Sequence, residues 1–156
     1  MTNKINLIAY DFDGVMTDNS VYLDQNGIEM VRVNRGDGLA VSEINKMKIE
    51  QIIISTEKNP VVQKRAKKIN ISCYQCVSNK LDFLKNYCEK NELSLNNTLF
   101  IGNDINDKEV MEAVRFGCSP ADAHQDIINI SDHVFSAKGG QGVIRELLDY
   151  LILNNY

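Results

Sequence analysis

The chain lacks the features that mark several large classes of protein. It has no apolar run of about 18 residues, so the sequence predicts no membrane-spanning helix. No secretory leader is evident, because a charged motif follows within the first dozen residues, and we expect a cytoplasmic protein. The net charge of −4 offers no basic surface of the kind that binds nucleic acid. Linkers, repeats and low-complexity segments are also missing, which predicts a single domain over residues 1–156.

Cysteine is scarce and lacks the spacing of a zinc site. Cys73 and Cys76 form one Cys-x-x-Cys pair, whereas Cys88 and Cys118 stand alone. A structural zinc ion requires a second pair of ligands. The segment around the pair has the pattern of a strand, on which residues three apart point to opposite faces. We therefore expect free thiols.

The apolar pattern alternates between short continuous runs and segments with helical period. Strands are predicted at 5–10, 51–55, 72–77, 98–102 and 133–135, and helices at about 37–48, 60–69, 79–91, 106–115 and 141–153. Apolar runs without polar alternation are typical of parallel strands that are covered on both faces. The sequence therefore predicts an α/β fold, a Rossmann-like three-layer arrangement around a parallel sheet.

A hairpin interrupts this alternation after the first strand. The segment at 20–33 carries β-branched and aromatic residues on both sides of Asn26-Gly27, a strong hairpin signal. We expect a small β-hairpin cap at about 20–34.

Polar side chains follow four of the predicted strands. Asp11 and Asp13 come directly after the first strand. The residues after the other three are Ser55, Thr56, Glu57 and Lys58, then Asn79 and Lys80, then Asn103, Asp104 and Asp107. Ligands of such sheets bind beyond the carboxyl ends of the strands, where these residues should meet. Polar residues after four strands would meet at one edge by chance much less often than any single motif would occur by chance.

This set of residues indicates phosphoryl-transfer chemistry. Oxygen ligands in such number suit a hard cation, and Mg²⁺ is the ion we expect. The ion allows the two neighbouring carboxylates to remain ionised together. Asp11 is then a candidate nucleophile that forms an aspartyl-phosphate, and Asp13 a candidate acid and base. A lysine and a hydroxyl at the same point suit the incoming phosphate.

At these positions the sequence resembles a known superfamily. The segments "DFDGVMTD", "IIIST", "SNK" and "IGNDINDKEVM" are similar to the four motifs of the haloacid dehalogenase phosphatases. "NRGDGLAV", "PADAH" and "GGQGVIREL" resemble the family of 3-deoxy-manno-octulosonate 8-phosphate phosphatases, which includes relatives acting on nine-carbon sialic-acid-type 9-phosphates. The resemblance implies a Mg²⁺-dependent phosphatase of a phosphorylated 2-keto-3-deoxy sugar acid. It also implies a homotetramer in which the hairpins pack together.

The resemblance assigns roles residue by residue. It implies catalytic roles for Asp11, Asp13, Ser55 and Lys80, and metal contacts for Asp11, Asp13, Asn103, Asp104 and Asp107. In it, Asp13 also offers its backbone carbonyl to the metal. Substrate contacts are implied for Asn34, Asp37, Gly38, Glu57 and Arg65. His124 and the glycines of "GGQG" are expected to have structural roles.

Two positions depart from the pattern of the eight-carbon-sugar enzymes. Glu57 stands where those enzymes usually have arginine, and it looks more like the nine-carbon branch. Asn103 stands where the fourth motif usually supplies a carboxylate to the metal. An amide oxygen still ligates Mg²⁺ but carries no charge, so Asp104 is a competing ligand.

Two other functions compete with that of a phosphatase. A non-catalytic accessory or oligomerisation domain, related to those attached to sugar-nucleotide synthetases, fits Asn103 but not the otherwise complete set of catalytic residues. A signalling receiver also uses an aspartate and Mg²⁺. Its phosphate acceptor follows the third strand, where this chain has Asn79 and Lys80. The phosphatase is the favoured interpretation.

Overall fold

A computed structural model describes residues 4–156 of the chain. The strands are β1 (Leu7–Tyr10), β2 (Tyr22–Leu23), β3 (Glu29–Met30), β4 (Glu50–Ile54), β5 (Ser72–Tyr74), β6 (Thr98–Ile101), β7 (Phe116–Ser119) and β8 (His133–Val134). The helices are α1 (Arg35–Lys46), α2 (Val61–Ile69), α3 (Lys80–Lys90), α4 (Lys108–Ala113), α5 (Gln125–Ile130) and α6 (Val143–Leu153). Short 3₁₀ turns cover Leu95–Asn97 and Ile105–Asp107. Within the described residues, no helix combines the length and apolarity needed to span a bilayer.

Six strands form one parallel sheet in the order β5-β4-β1-β6-β7-β8. β1 lies between β4 and β6, and Leu7 aligns with Glu50 on one side and with Thr98 on the other. The chain leaves β1 towards β4 and later returns on the other side with β6. This reversal of strand order creates a crevice at the carboxyl ends of β1 and β6, where α/β proteins bind their ligands.

Helices cover both faces of the sheet, which confirms the predicted three-layer α/β fold. Alternate residues of β1 point to opposite faces: Ile8 and Tyr10 pack with α1, α2 and α6, whereas Leu7 and Ala9 pack with α3, α4 and α5. All four side chains are fully buried. Burial on both faces explains why the strand sequences show no polar alternation.

The hairpin forms where the sequence predicts it. β2 and β3 pair antiparallel, and Gly27 takes a φ of +79° in the connecting loop. The amide of Ile28 donates a hydrogen bond to the carboxylate of Asp24, which closes the loop. Five apolar side chains of the hairpin are more than half exposed: Val21, Tyr22, Leu23, Ile28 and Met30.

The sequence does not predict strand β7 or helix α5, and one helix is shorter than predicted. β7 has only four residues with a central glycine, and α5 has only six residues that include three isoleucines. The helix expected at 106–115 is a 3₁₀ turn over Ile105–Asp107 followed by α4. Segments of this length contain too few periods for their pattern to show.

Candidate active site

Three strand ends and one helix start bring the predicted catalytic side chains together. Asp11 follows β1, Ser55 follows β4, Asp107 lies in the turn after β6, and Lys80 is the first residue of α3. All four side chains are buried. The predicted meeting of these loops at the carboxyl edge of the sheet is therefore present in the structure.

Lys80 links the loops through two ion pairs. Its Nζ lies 2.8 Å from Oδ1 of Asp11 and 2.6 Å from Oδ1 of Asp107. Burial acts to lower the pKa of Lys80, but the two carboxylates outweigh burial and leave that pKa raised. The ammonium group therefore stays charged at neutral pH. A buried cation at this point is suited to bind a phosphate.

Asp11 sits at the end of the central strand in an environment that disfavours its charge. Burial raises the pKa of Asp11, Asp107 raises it further, and the ion pair with Lys80 opposes both effects. The backbone amide of Phe12 also donates to Oδ1 of Asp11 at 2.8 Å. A nucleophilic carboxylate must be ionised, and Lys80 together with the Phe12 amide favours ionisation of Asp11.

Asp13 is held by Thr17, a residue that the sequence analysis missed. The Thr17 hydroxyl donates to Oδ1 of Asp13 at 3.3 Å and accepts from the amide of Gly14 at 3.2 Å. Burial raises the pKa of Asp13; the Thr17 hydrogen bond opposes this, while Glu57 adds to it. A raised pKa suits a general acid. A hydroxyl four residues after Asp13 in a tight turn is the sequence signal for Thr17.

The loop after β4 holds Ser55 and Glu57 in fixed positions. The amide of Glu57 donates to the Ser55 hydroxyl at 3.0 Å. Oε1 of Glu57 accepts from the amides of Lys58 and Asn59 at 2.6 and 2.9 Å. The Glu57 side chain is half-buried, and its charge affects Asp13. Glu57 therefore shapes its own loop beside Asp13, the candidate acid and base.

The turn after β6 places Asn103, Asp104 and Asp107 differently from one another. Oδ2 of Asp107 accepts from the amide of Asn103 at 3.0 Å. Asp104 caps the 3₁₀ turn, and its Oδ1 accepts from Ile105 at 2.8 Å. The Asn103 side chain packs against Gly14, since a Cβ at Gly14 would stand 1.9 Å from Nδ2 of Asn103. Of the three, Asn103 thus lies directly against the loop of Asp11 and Asp13.

The donor set fits a hard cation through mixed oxygen ligands rather than through carboxylates alone. Within residues 4–156, no three His, Cys, Asp or Glu side chains lie close enough together to hold a metal ion. The Asn103 side chain packs against Gly14, the residue after Asp13, so its amide oxygen joins the oxygens of Asp11 and Asp13 as a candidate donor. Such oxygens are ligands that Mg²⁺ accepts. Asp107 is already paired with Lys80.

The residues expected to contact the substrate do not all join this cluster. Asn34 caps α1, and its carbonyl accepts from Nη2 of Arg65 at 2.9 Å. Gly38 lies beside them, because a Cβ there would stand 3.4 Å from the same Nη2. Arg65 and Gly38 line a groove of about 590 Å³ between α1 and α2, which also contains Arg35 and Lys68. This groove is cationic, whereas Glu57 lies by the catalytic loop.

Asp37 is placed for a structural role. Its carboxylate is 2% exposed, and Oδ1 accepts from the amides of Ile144 and Arg145 at the start of α6, at 3.1 and 3.2 Å. Oδ2 is buried without a hydrogen-bond partner. No oxygen of Asp37 is therefore open to a ligand, which favours helix anchoring over substrate contact.

The buried Asp37 predicts a pH-dependent stability. Burial raises its pKa from 3.8 to about 6, because its orphan oxygen is easier to bury as a neutral acid. A raised native pKa means that this stabilisation is complete below about pH 4 and is lost as the pH rises through about 6. Asp37→Asn keeps the accepting oxygen but does not titrate.

Urea unfolding of both proteins at pH 4.5 and 7.5 measures this effect. We expect the wild type to lose stability relative to Asp37→Asn between these pH values, by at most about 3 kcal/mol. An equal difference in unfolding free energy between the two proteins at both pH values would contradict a raised pKa of Asp37.

His124 has the structural role that the sequence analysis expected. Its Nδ1 accepts from the amide of Asp126 at the start of α5, at 3.2 Å. Its own amide donates to the carbonyl of Asn103 at 2.8 Å. His124 thus supports the turn after β6 from outside the site.

Comparison with known proteins identifies relatives of the whole chain. Residues 10–147 match the family model of haloacid dehalogenase-like hydrolases. The 3-deoxy-D-manno-octulosonate 8-phosphate phosphatase of Escherichia coli K12 is 35% identical over 151 residues, which are 96% of this chain and 80% of the relative.

Two solved structures show the same fold. The corresponding phosphatase of Moraxella catarrhalis, in complex with magnesium, phosphate and KDO, is 27% identical with a TM-score of 0.92, over 97% of this chain and 88% of that one. The cobalt-bound enzyme of Haemophilus influenzae is 26% identical with a TM-score of 0.91, over 97% and 89%.

Proposed function

Because the chain belongs to the 3-deoxy-D-manno-octulosonate 8-phosphate phosphatase family of haloacid dehalogenase-like hydrolases, and is a phosphomonoester hydrolase, we propose that it hydrolyses the phosphate ester of a 2-keto-3-deoxy sugar acid. The observation that carries this proposal is the buried Lys80 between Asp11 and Asp107, with Ser55 at the same sheet edge. The family membership and these residues favour an enzyme over the non-catalytic accessory domain.

The reaction proceeds through Asp11 and Asp13. A carboxylate oxygen of Asp11 attacks the phosphorus, and the bond between phosphorus and the sugar oxygen breaks. Asp13 gives its proton to the leaving alkoxide. Asp13 then takes a proton from water, which attacks the aspartyl-phosphate, releases inorganic phosphate and restores Asp11. Ser55 and Lys80 hold the phosphate oxygens throughout.

Mg²⁺ is the proposed cofactor. Asp11, the carbonyl of Asp13 and Asn103 would hold it, with Asp104 or Asp107 as further candidates. When bound, the ion screens the repulsion between the Asp11 carboxylate and the phosphate oxygens. A panel of sugar phosphates assayed with Mg²⁺ and with EDTA tests the proposal. We expect hydrolysis of a sugar acid phosphate with Mg²⁺ and its loss with EDTA, whereas equal rates in both would contradict the cofactor.

We further propose that Glu57 selects the sugar, with a nine-carbon 9-phosphate preferred over the eight-carbon 8-phosphate. Oε1 of Glu57 is already bound to two backbone amides, so its other oxygen is the one that can accept from a sugar hydroxyl or an acylamino N–H. A carboxylate does not attract the carboxylate of the sugar acid, as an arginine would. Polar contacts of this kind discriminate strongly, because a missing partner leaves a buried group unpaired.

Glu57→Ala tests this specificity. We expect the ratio of kcat/KM for the nine-carbon and eight-carbon substrates to fall by a factor equivalent to roughly 1–3 kcal/mol, which is the usual cost of one unpaired polar group. Hydrolysis of a small generic phosphate should change little. The role is wrong if the wild type prefers the eight-carbon substrate, or if all three substrates slow equally.

We also propose a homotetramer joined through the hairpins. The exposed apolar side chains of β2, β3 and their loop leave more apolar surface open than a free two-stranded ribbon usually has. Light scattering at micromolar concentration should give the mass of four chains. Leu23→Lys, at a side chain that is 66% exposed, should shift the protein to smaller species. The interface is wrong if the wild type is monomeric or if Leu23→Lys remains tetrameric.

A further inference from the structure

The segment 136–145, which runs from the end of β8 into the first turn of α6, touches the catalytic loop of residues 11–18 through two glycines. A Cβ at Gly139 would stand 2.2 Å from the carbonyl oxygen of Gly14 and 2.8 Å from that of Thr17. A Cβ at Gly140 would stand 2.6 Å from the amide nitrogen of Asp18. Real Cβ atoms do not approach other atoms this closely. The two backbones therefore pack directly on each other.

A hydrogen bond fixes this contact. The amide of Gly140 donates to the carbonyl of Val15 at 3.0 Å. On the other side of the catalytic loop, the Asn103 side chain lies against Gly14. Gly14 is thus enclosed between Asn103 and Gly139, and its φ of +81° leaves it no alternative residue type that fits without strain.

Three carboxylates from different parts of the chain hold segment 136–145 in place. Glu146 of α6 accepts from the amides of Ser136 and Ala137 at 2.8 and 2.7 Å. Asp122, in the loop before α5, accepts from the amide of Gly139 at 2.9 Å. Asp37 of α1 accepts from the amides of Ile144 and Arg145 at the other end of the segment. The glycines therefore rest on a supported backbone.

We propose that Gly139 and Gly140 form a glycine brace that positions the catalytic loop for chemistry. The proposal rests on the assignment of Asp11 and Asp13 as the reacting groups. The brace has no contact with the substrate in this scheme. It acts by fixing the peptide units of Gly14 and Thr17, and Thr17 in turn holds the carboxylate of Asp13. A distortion of residues 14–18 shifts the carboxylate of Asp13 relative to Asp11, which lowers kcat more than it weakens binding.

Gly140→Ala and its matched control Gly142→Ala test the brace. Both glycines have positive φ, +68° and +101°, so alanine is strained at either position. At Gly142, however, the nearest atom to an added Cβ is 3.9 Å away. We expect Gly140→Ala to lower kcat about 100-fold with little change in KM. Gly142→Ala should lower the melting temperature but leave kcat unchanged.

Amide hydrogen exchange gives a readout that does not depend on turnover. The amides of Val15, Met16 and Thr17 donate to the carbonyl of Phe12, so exchange in peptide 12–18 reports on the loop. This exchange should be faster in Gly140→Ala than in the wild type and unchanged in Gly142→Ala. The brace proposal is wrong if Gly140→Ala folds and keeps the wild-type kcat and the wild-type exchange in peptide 12–18. It is also wrong if kcat falls equally in Gly140→Ala and Gly142→Ala.

Asp122 supplies a second test if Gly140→Ala does not fold. The Asp122 side chain is exposed, and Asp122→Ala removes only the acceptor for the amide of Gly139. We expect a lower kcat and faster exchange in peptide 12–18, with both restored in Asp122→Asn, which keeps an accepting oxygen. Unchanged kcat and exchange in Asp122→Ala would overturn the proposal. If the wild type hydrolysed no phosphate ester, the proposed function would fail, while the exchange comparison would still decide on the brace.

Discussion

Asp11→Asn is expected to abolish turnover while the protein remains folded. An amide cannot attack phosphorus to form an acyl-phosphate, so the first chemical step is blocked. The fold should survive because Asp11 is a buried carboxylate whose charge is disfavoured by burial, and an amide removes that cost. Lys80 retains its ion pair with Asp107 at 2.6 Å. Activity assays and thermal unfolding of the variant measure the two effects separately.

Asp13→Asn is the matched control, since it keeps the nucleophile and removes the acid and base. After reaction with a phosphate ester that has a good leaving group, Asp13→Asn should accumulate a phosphorylated protein, because water is no longer activated. Mass spectrometry of acid-quenched samples should detect this species in Asp13→Asn but not in Asp11→Asn. Normal turnover by Asp11→Asn, or phosphorylation at another residue, would refute the assignment of Asp11 as the nucleophile.

Lys80→Met is expected to lose both activity and stability. Methionine matches the length of the lysine stem but leaves Asp11 and Asp107 facing each other without a cation. Removing one partner of a buried ion pair typically costs about 3–5 kcal/mol of unfolding free energy. The loss of the phosphate-binding cation should lower kcat by at least about 100-fold. Denaturant unfolding and steady-state kinetics at neutral pH are the two measurements.

Lys85→Met on the same helix is the control for this substitution. Its side chain is exposed, and we expect near-wild-type stability and activity. The loss of stability in Lys80→Met should also be smaller at acid pH, because protonation of Asp11 removes one of the two negative charges that face each other. Wild-type stability of Lys80→Met at neutral pH would show that the ion pairs do not hold the three loops together.

The sequence predicts the meeting of most of the candidate site residues because these residues follow a local rule. Asp11, Ser55 and Asp107 each lie in the loop directly after a strongly apolar strand, and parallel strands place such loops at one edge. The strands are recognisable because they are buried on both faces. Burial on both faces also gives the three-layer fold, whereas the hairpin follows from the turn signal of Asn26-Gly27.

What the sequence does not reveal depends on contacts between distant segments. Asp37 precedes Ile144 by more than a hundred positions, and nothing near it in sequence indicates that it anchors α6. The packing of Gly139 on Gly14 is equally non-local. β7 is too short and contains Gly117, which packs against Met111 where a side chain would not fit. The local hydrophobic pattern does not indicate which distant residues contact one another.

The glycine brace also has a consequence for the timing of biosynthesis. The glycines that back the loop of residues 11–18 are translated about 130 residues after Asp11, a delay of roughly 6–26 seconds at usual rates. The central strand β1 likewise waits for β4 and then β6 before both of its edges are paired. During that delay the nascent chain carries its candidate nucleophile, Asp11, on an incompletely supported loop. The loop therefore gains its backing only after the segment before α6 has been made.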